Sequence, residues 1–152
     1  MSDLPHLCSV KSVGTATGTL ISSSNNLPDI TVAPPLQFGG PGDQWSPEDL
    51  LVAVVANCFV LSFRAISRAS KLVWQSIDCE AVGTLDKVER DMLFTNVTTK
   101  VKLIIPVVES KERAEKILIK AEQACLITNS MSCDYSLNAK LCLTVNKHLA
   151  VV

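Results

Sequence analysis

Apolar and polar residues change their spacing several times along the chain, and each change marks an element. From Leu7 to Ala33, short Thr- and Val-rich segments are broken by Gly14, Gly18 and the polar run Ser22 to Asn26. That pattern predicts a strand meander. Pro34, Pro35, Gly39, Gly40, Pro41 and Gly42 follow as a stiff, irregular loop leading to Trp45. Ser46-Pro47-Glu48-Asp49 is then a helix start: Ser46 can cap, Pro47 suits the first helical position, and Asp49 stands three residues after the cap. A helix is predicted from Pro47 to Lys71. Its first half, Leu50 to Phe63, is apolar almost all round, so it should be buried on most sides, with a sheet on one side and something else on the other.

Ile77 to Val88 and Met92 to Val108 read as a long hairpin. In the second arm Val97, Thr99, Val101, Leu103 and Ile105 alternate with Thr98, Lys100 and Lys102, which leaves one face wet. After Pro106, Ser110 can cap a second helix whose apolar positions Ala114, Ile117, Leu118, Ala121, Ala124 and Cys125 fall at spacings of three and four. A loop from Leu126 to Asp134 leads to a last strand, in which Leu137, Ala139, Leu141, Leu143 and Val145 alternate with polar neighbours. The order strands, helix, hairpin, helix, strand is α+β. With 152 residues it is expected to be one domain spanning residues 1–152.

Charge narrows the function classes. Fourteen Lys and Arg against 15 Asp and Glu leave a net −1 with no block of like charge, so neither a nucleic-acid nor an anionic-membrane partner is expected. Charged residues are 19% and hydrophobic ones 47%, more apolar surface than one small monomer easily hides. The most apolar stretch, Leu50 to Phe63, contains Asn57 and is shorter than the roughly 20 residues that a bilayer span needs. The beginning MSDLPHLCSV lacks a basic leader with an apolar core, which predicts a cytoplasmic protein. The six cysteines at 8, 58, 79, 125, 133 and 142 form no CxxC pair and read as thiols; with only His6 and His148 beside them, no metal site is expected.

Two of those thiols suggest chemistry. Cys58 lies mid-helix on the face shared with Leu51, Val54, Val55, Leu61, Ser62 and Ala65, and Cys125 ends the buried stripe of the second helix. If the helices cross on the sheet, the two could approach within the Cα separation of about 4.4–6.8 Å that a disulfide requires. The other reading is that both are inert core thiols, since free cysteine is among the most buried residue types. Cys133 is an alternative partner for Cys58, and Cys8, Cys79 and Cys142 read as structural.

Ser46-Pro47-Glu48-Asp49-Leu50-Leu51 through Asn57-Cys58-Phe59, taken with Ala124-Cys125-Leu126-Ile127-Thr128-Asn129-Ser130-Met131, resembles the two signatures of the OsmC/Ohr family, in order and at the family's separation. The similarity covers nearly the whole chain. It implies an OsmC-like fold of antiparallel sheets packed around two buried helices, in an intertwined homodimer. It also implies a thiol-dependent peroxidase that reduces organic hydroperoxides. Cys58 matches the peroxidatic cysteine, Cys125 the resolving one and Glu48 the acid that orients the site. A dithiol reductant such as a lipoyl group would reset the enzyme, with no cofactor. Trp45, Phe59 and Phe63 are candidates for an apolar substrate mouth, Phe59 and Phe63 having ordinary core packing as their other reading.

The chain departs from the family pattern at one point. Peroxidase members carry an arginine in the N-terminal strands beside the reactive thiol, and residues 1–63 here contain none. Substitutes to weigh are Lys11, Arg64, Arg68 and hydrogen-bond donors from the Thr128–Ser130 turn. Arg64 and Arg68 should point off the Cys58 face, roughly 9 and 15 Å along the axis, as a solvated edge. Glu48, ten residues before Cys58, is about 15 Å away along a straight helix, so a shared site would be completed by the partner subunit. The alternative function is an OsmC-like protein without efficient peroxidase activity that binds a small apolar ligand or senses oxidants through its thiols. A purely structural dimer is a third reading.

Overall fold

The computed structural model describes residues 4–145, so the sequence readings placed on the first three residues and on His148 lie outside the described residues. Its elements run β1 (Lys11–Val13), β2 (Leu20–Ser23), β3 (Ile30–Val32), α1 (Pro47–Ala69), β4 (Ser76–Val88), β5 (Asp91–Pro106), α2 (Lys111–Gln123) and β6 (Asp134–Thr144). The chain separates into two compact units, divided inside α1 between Leu51 and Val52.

In the first unit β1, β2 and β3 form an antiparallel meander, as the glycine-punctuated pattern predicts. The loop after β3 contains a short 3-10 turn, Leu36–Phe38, and then doubles back. Gly40 permits this: a Cβ there would lie 1.6 Å from the Pro34 carbonyl oxygen, and its amide donates to the Pro35 oxygen at 3.0 Å. The chain returns beside β3, where the Ala33 amide donates to the Trp45 oxygen at 2.9 Å. Ser46 then starts α1. Its Oγ accepts the Asp49 amide at 3.0 Å, and the Asp49 carboxylate accepts from the Ser46 amide and hydroxyl at 3.2 and 2.7 Å. The two residues satisfy each other's open backbone donors, as in a capping box.

In the second unit β4 and β5 make the long hairpin, with a register shift at Thr84/Leu85. β6 pairs with β5 in parallel, from Asn96 opposite Asp134 to Pro106 opposite Thr144. The expectation of wholly antiparallel sheets is corrected here: α2 carries the chain back before β6 begins, and a helical crossover of this kind yields parallel neighbours. Val97, Thr99, Val101, Leu103 and Ile105 are buried on the inner face of β5, while Lys100 and Lys102 stay outside, Lys100 pairing with Glu80 at 3.3 Å. The core lies between that face and the helices, built around Phe59, Phe63, Leu103, Ile117 and Leu118.

Two helix expectations also change. α1 buries one stripe, Val55, Phe59, Phe63 and Ser67, and not most of its sides; Leu61 is 60% exposed and Val54 41%. One chain supplies one sheet face, which covers only one side of so apolar a helix. With 23 residues, and an 18-residue window within it of mean hydropathy 2.0, α1 does have the length and composition of a membrane span, contrary to the shorter stretch read from sequence. Its buried stripe nevertheless packs as a core helix does. The second difference is at α2, which starts at the Ser110 cap, whose Oγ accepts the Arg113 amide at 3.3 Å, but ends at Gln123. Cys125 therefore stands just past the helix, its amide drawn back to the Glu122 oxygen at 3.0 Å.

Candidate active site

α1 presents Cys58 halfway along its length with Ser62 one turn later, and the chain leaving α2 turns Cys125 inward. Both thiols are free, Cys58 half-buried and Cys125 with no accessible surface. The two side chains meet: each thiol shifts the other's ionisation, Cys125 raising Cys58 and Cys58 lowering Cys125. It is Cys125, not Cys133, that reaches Cys58.

The segment after Cys125 wraps these sulfurs. The Asn129 amide and the Thr128 hydroxyl both hold the Cys125 carbonyl, each at 3.1 Å, and this fixes the turn. The Ile127 and Thr128 backbone amides lie beside the sulfurs, Ile127 favouring the ionised form of both thiols and Thr128 that of Cys125. The donors weighed from sequence in the Thr128–Ser130 turn are thus centred one residue earlier, on Ile127 and Thr128.

The two thiols respond in opposite directions. Burial pushes Cys58 above the ordinary thiol range, and the Cys125 sulfur beside it adds to the rise; the Ile127 amide and the Ser62 hydroxyl only partly offset this. Burial also acts against ionisation of Cys125, but the Thr128 amide and hydroxyl, the Cys58 thiol and the Ile127 amide outweigh it and bring that thiol down.

Beneath lies the inner sheet face. Cys79 on β4 is pushed up to about 11, by burial and then by Cys125. Tyr135 on β6 is pushed up to about 12, chiefly by burial, with Glu122, Cys125 and Cys79 adding and the Thr99 hydroxyl opposing. Neither Thr99 Oγ1 nor Tyr135 Oη makes a well-formed hydrogen bond. Sequence reasoning placed Ser62 on the Cys58 face and Thr99 on the inward face of its strand without giving either a role, and passed over Tyr135. The available signals were a hydroxyl four residues after Cys58 and two polar groups at inward positions of apolar strands.

The remaining candidates are more dispersed. Phe59 and Phe63 have no accessible surface, and Phe63 packs edge-on against Trp74 with ring centroids 5.4 Å apart. They serve the core, which corrects their reading as a substrate mouth. Arg64 and Arg68 are exposed, as a solvated edge would be. Trp45, 54% exposed, Lys11 and Glu48 belong to the first unit; Glu48 is half-buried and its Oε2 has no hydrogen-bond partner among the described residues. Cys8 is exposed, while Cys133 and Cys142 are half-buried. No group of three or more His, Cys, Asp or Glu that could hold a metal ion occurs among the described residues.

An α+β unit with two facing thiols, one at mid-helix and one after the second helix, defines a class. Residues 40–140 match the family described as OsmC-like protein, and the chain belongs to that family. Among curated proteins it is similar to the uncharacterized protein YmaD of Bacillus subtilis, 22% identical over 114 residues that cover 73% of this chain and 75% of that one. Among solved structures it resembles an organic hydroperoxide resistance protein of Legionella pneumophila, with 19% identity, TM-score 0.72 and coverage of 91% of this chain and 98% of that one. It also resembles the organic hydroperoxide resistance protein OhrB of Bacillus subtilis, with 20% identity, TM-score 0.67 and coverage of 89% and 98%. At these identities the likeness establishes the fold.

Proposed function

We propose that this chain is a thiol peroxidase that reduces organic hydroperoxides through a Cys58/Cys125 cycle, as a cytoplasmic homodimer reset by a dithiol reductant. The observation that carries the reading is the meeting, in the reduced molecule, of two thiols 67 residues apart in sequence. Cys58 is the sulfur with surface, so it attacks the distal peroxide oxygen, and the alcohol leaves. The sulfenic acid formed on Cys58 then condenses with Cys125 to a disulfide and water. Exchange with an external dithiol, a lipoyl group being one such reductant, restores both thiols. Glu48 stays in the proposal as the orienting acid, its Oε2 without a hydrogen-bond partner among the described residues, and Trp45 as an apolar lip. The names of the two hydroperoxide resistance proteins with this fold support the same substrate class.

The test is stopped-flow oxidation of the reduced protein by an alkyl hydroperoxide, comparing wild type with Cys58→Ser and Cys125→Ser. Fast oxidation is expected only where Cys58 is present, and a disulfide only where Cys125 is present as well. Slow oxidation shared indifferently by all six thiols would overturn the reading. One observation favours the second reading, a protein that senses oxidants or binds an apolar ligand: residues 1–63 contain no arginine to stand beside the thiols. A stoichiometric, slow disulfide without turnover would be its mark.

A further inference from the structure

In the reducing half of the proposed cycle the incoming dithiol meets the sulfur that has surface. Cys58 is half-buried and Cys125 has no accessible surface, so attack falls on Cys58, and Cys125 must leave as a thiolate in an enclosed place. Enclosure works against that charge, and a poor leaving thiolate slows the exchange. The roof over the sulfurs has already spent its hydroxyls: Thr128 Oγ1 donates to the Cys125 carbonyl at 3.1 Å and Ser130 Oγ to the Leu126 carbonyl at 2.7 Å.

The floor has not. Val97 pairs with Tyr135 and Thr99 with Leu137 across β5 and β6, while Thr99 pairs with Ala81 and Val101 with Cys79 across β5 and β4. Cys79, Thr99 and Tyr135 therefore step diagonally over the inner face, one on each strand, among Ala81, Val97, Val101 and Leu137. Thr99 has no accessible surface, and both Thr99 Oγ1 and Tyr135 Oη are enclosed without a hydrogen-bond partner among the described residues. A buried tyrosine hydroxyl ordinarily has a partner, and an enclosed polar atom left open calls for a reason. Tyr135 lies near enough to Cys125 for that sulfur to contribute to its rise to about 12, and it keeps its proton near neutral pH.

We infer that Tyr135 Oη is the donor that receives the Cys125 sulfur as the disulfide opens, with Thr99 as the residue that positions it. The inference rests on the Cys58/Cys125 cycle and adds a catalytic residue to its reducing half. A hydroxyl that is unpaired at rest and pairs as the thiolate departs lowers the barrier without adding to resting stability. The exchange balances. A thiolate of the dithiol attacks the Cys58 sulfur, a new S–S bond forms, the Cys58–Cys125 bond breaks, and the electron pair leaves on Cys125. The second thiol of the reductant then displaces Cys58 from the mixed disulfide. The dithiol is oxidised by two electrons, the protein disulfide is reduced by two, and the two protons given up by the dithiol end on the two cysteines.

The experiment takes the full chain, forms the Cys58/Cys125 disulfide with diamide, verifies it by peptide mapping, and follows its reduction by dihydrolipoamide in wild type, Tyr135→Phe, Thr99→Val and Thr99→Ser. Tyr135→Phe should slow reduction about 10-fold, the loss of one preorganised donor. Oxidation of Cys58 by an alkyl hydroperoxide should be slowed less, and the melting temperature of the reduced protein should not fall, since Oη has no partner at rest. Thr99→Val should slow reduction in the same direction and Thr99→Ser should restore it, which keeps the test open if Tyr135→Phe misfolds. Equal reduction rates in wild type and Tyr135→Phe would overturn the inference and leave the peroxidase reading standing. Equal slowing of oxidation and reduction with a lower melting temperature would overturn it too, by making Tyr135 a packing residue. A wild-type chain that forms no Cys58/Cys125 disulfide would overturn both, whereas a Cys58 no faster than a free thiol toward peroxide, with the Tyr135 effect intact, would remove the peroxidase reading alone.

Discussion

At the scale of single residues, the clearest linkage outside the thiols is Glu109. Its carboxylate accepts the Val73 amide at 3.0 Å, and the Ser110 amide and the Arg113 guanidinium, each at 3.1 Å. Arg113 donates in turn to the Ser70 carbonyl, so one side chain ties the start of α2 to the end of α1. Burial acts against the charged form, but the two amides and the guanidinium outweigh it and hold this carboxyl below the usual range. A folded pKa below the unfolded one adds stability that is complete above the ordinary carboxylate range and disappears as pH falls through the lowered value. Glu109→Gln should therefore cost about 1 kcal/mol in urea unfolding near neutral pH, a figure discounted for partial solvent screening. The variant and wild type should converge at strongly acid pH. The thiols teach a related point about sequence. Their nearness was legible from two motifs, but the opposite directions of their shifts were not, because these depend on amides of Ile127 and Thr128 that any residue type would supply.

At the scale of elements, the legible parts are those whose ends are written in side chains. The Ser46/Asp49 reciprocal cap begins α1 at the expected residue and the Ser110 hydroxyl begins α2. Ser46→Ala should lower unfolding stability by about 1 kcal/mol, read as a reduced melting temperature with helix content otherwise retained. The exit from α2 was less legible. Apolar spacing runs on through Ala124 and Cys125, whereas the helix closes at Gln123 with the Ala124 amide on the Lys120 oxygen at 3.0 Å. Periodicity reports burial, and Cys125 is buried in a turn as fully as it would be in a helix. The direction of β6 was hidden for a similar reason: a period of two names the inward residues of a strand and says nothing of the strand beside it.

At the scale of the whole molecule, the sequence called for more cover on α1 than one chain provides. Val54 and Leu61 remain exposed on a helix whose opposite stripe fills the core. The proposed homodimer accounts for that face, and gives a direct expectation: sedimentation should show a dimer, and Leu61→Glu should shift it toward monomer. A wild-type monomer at all concentrations would remove the dimer from the proposal. The reading of all-round burial thus failed for the isolated chain for a physical reason, since a hydrophobic pattern counts the surfaces that must be hidden without saying which molecule hides them.

β5 is hydrogen-bonded along both flanks, by β4 and by β6, and it lies between the strands that bring Cys79 and Tyr135 toward Cys125. The thiol chamber therefore has a stiff floor and a roof of a few residues pinned by the Thr128 and Ser130 hydroxyls. In the proposed cycle, drawing the two sulfurs into a disulfide would displace that roof and leave the floor still.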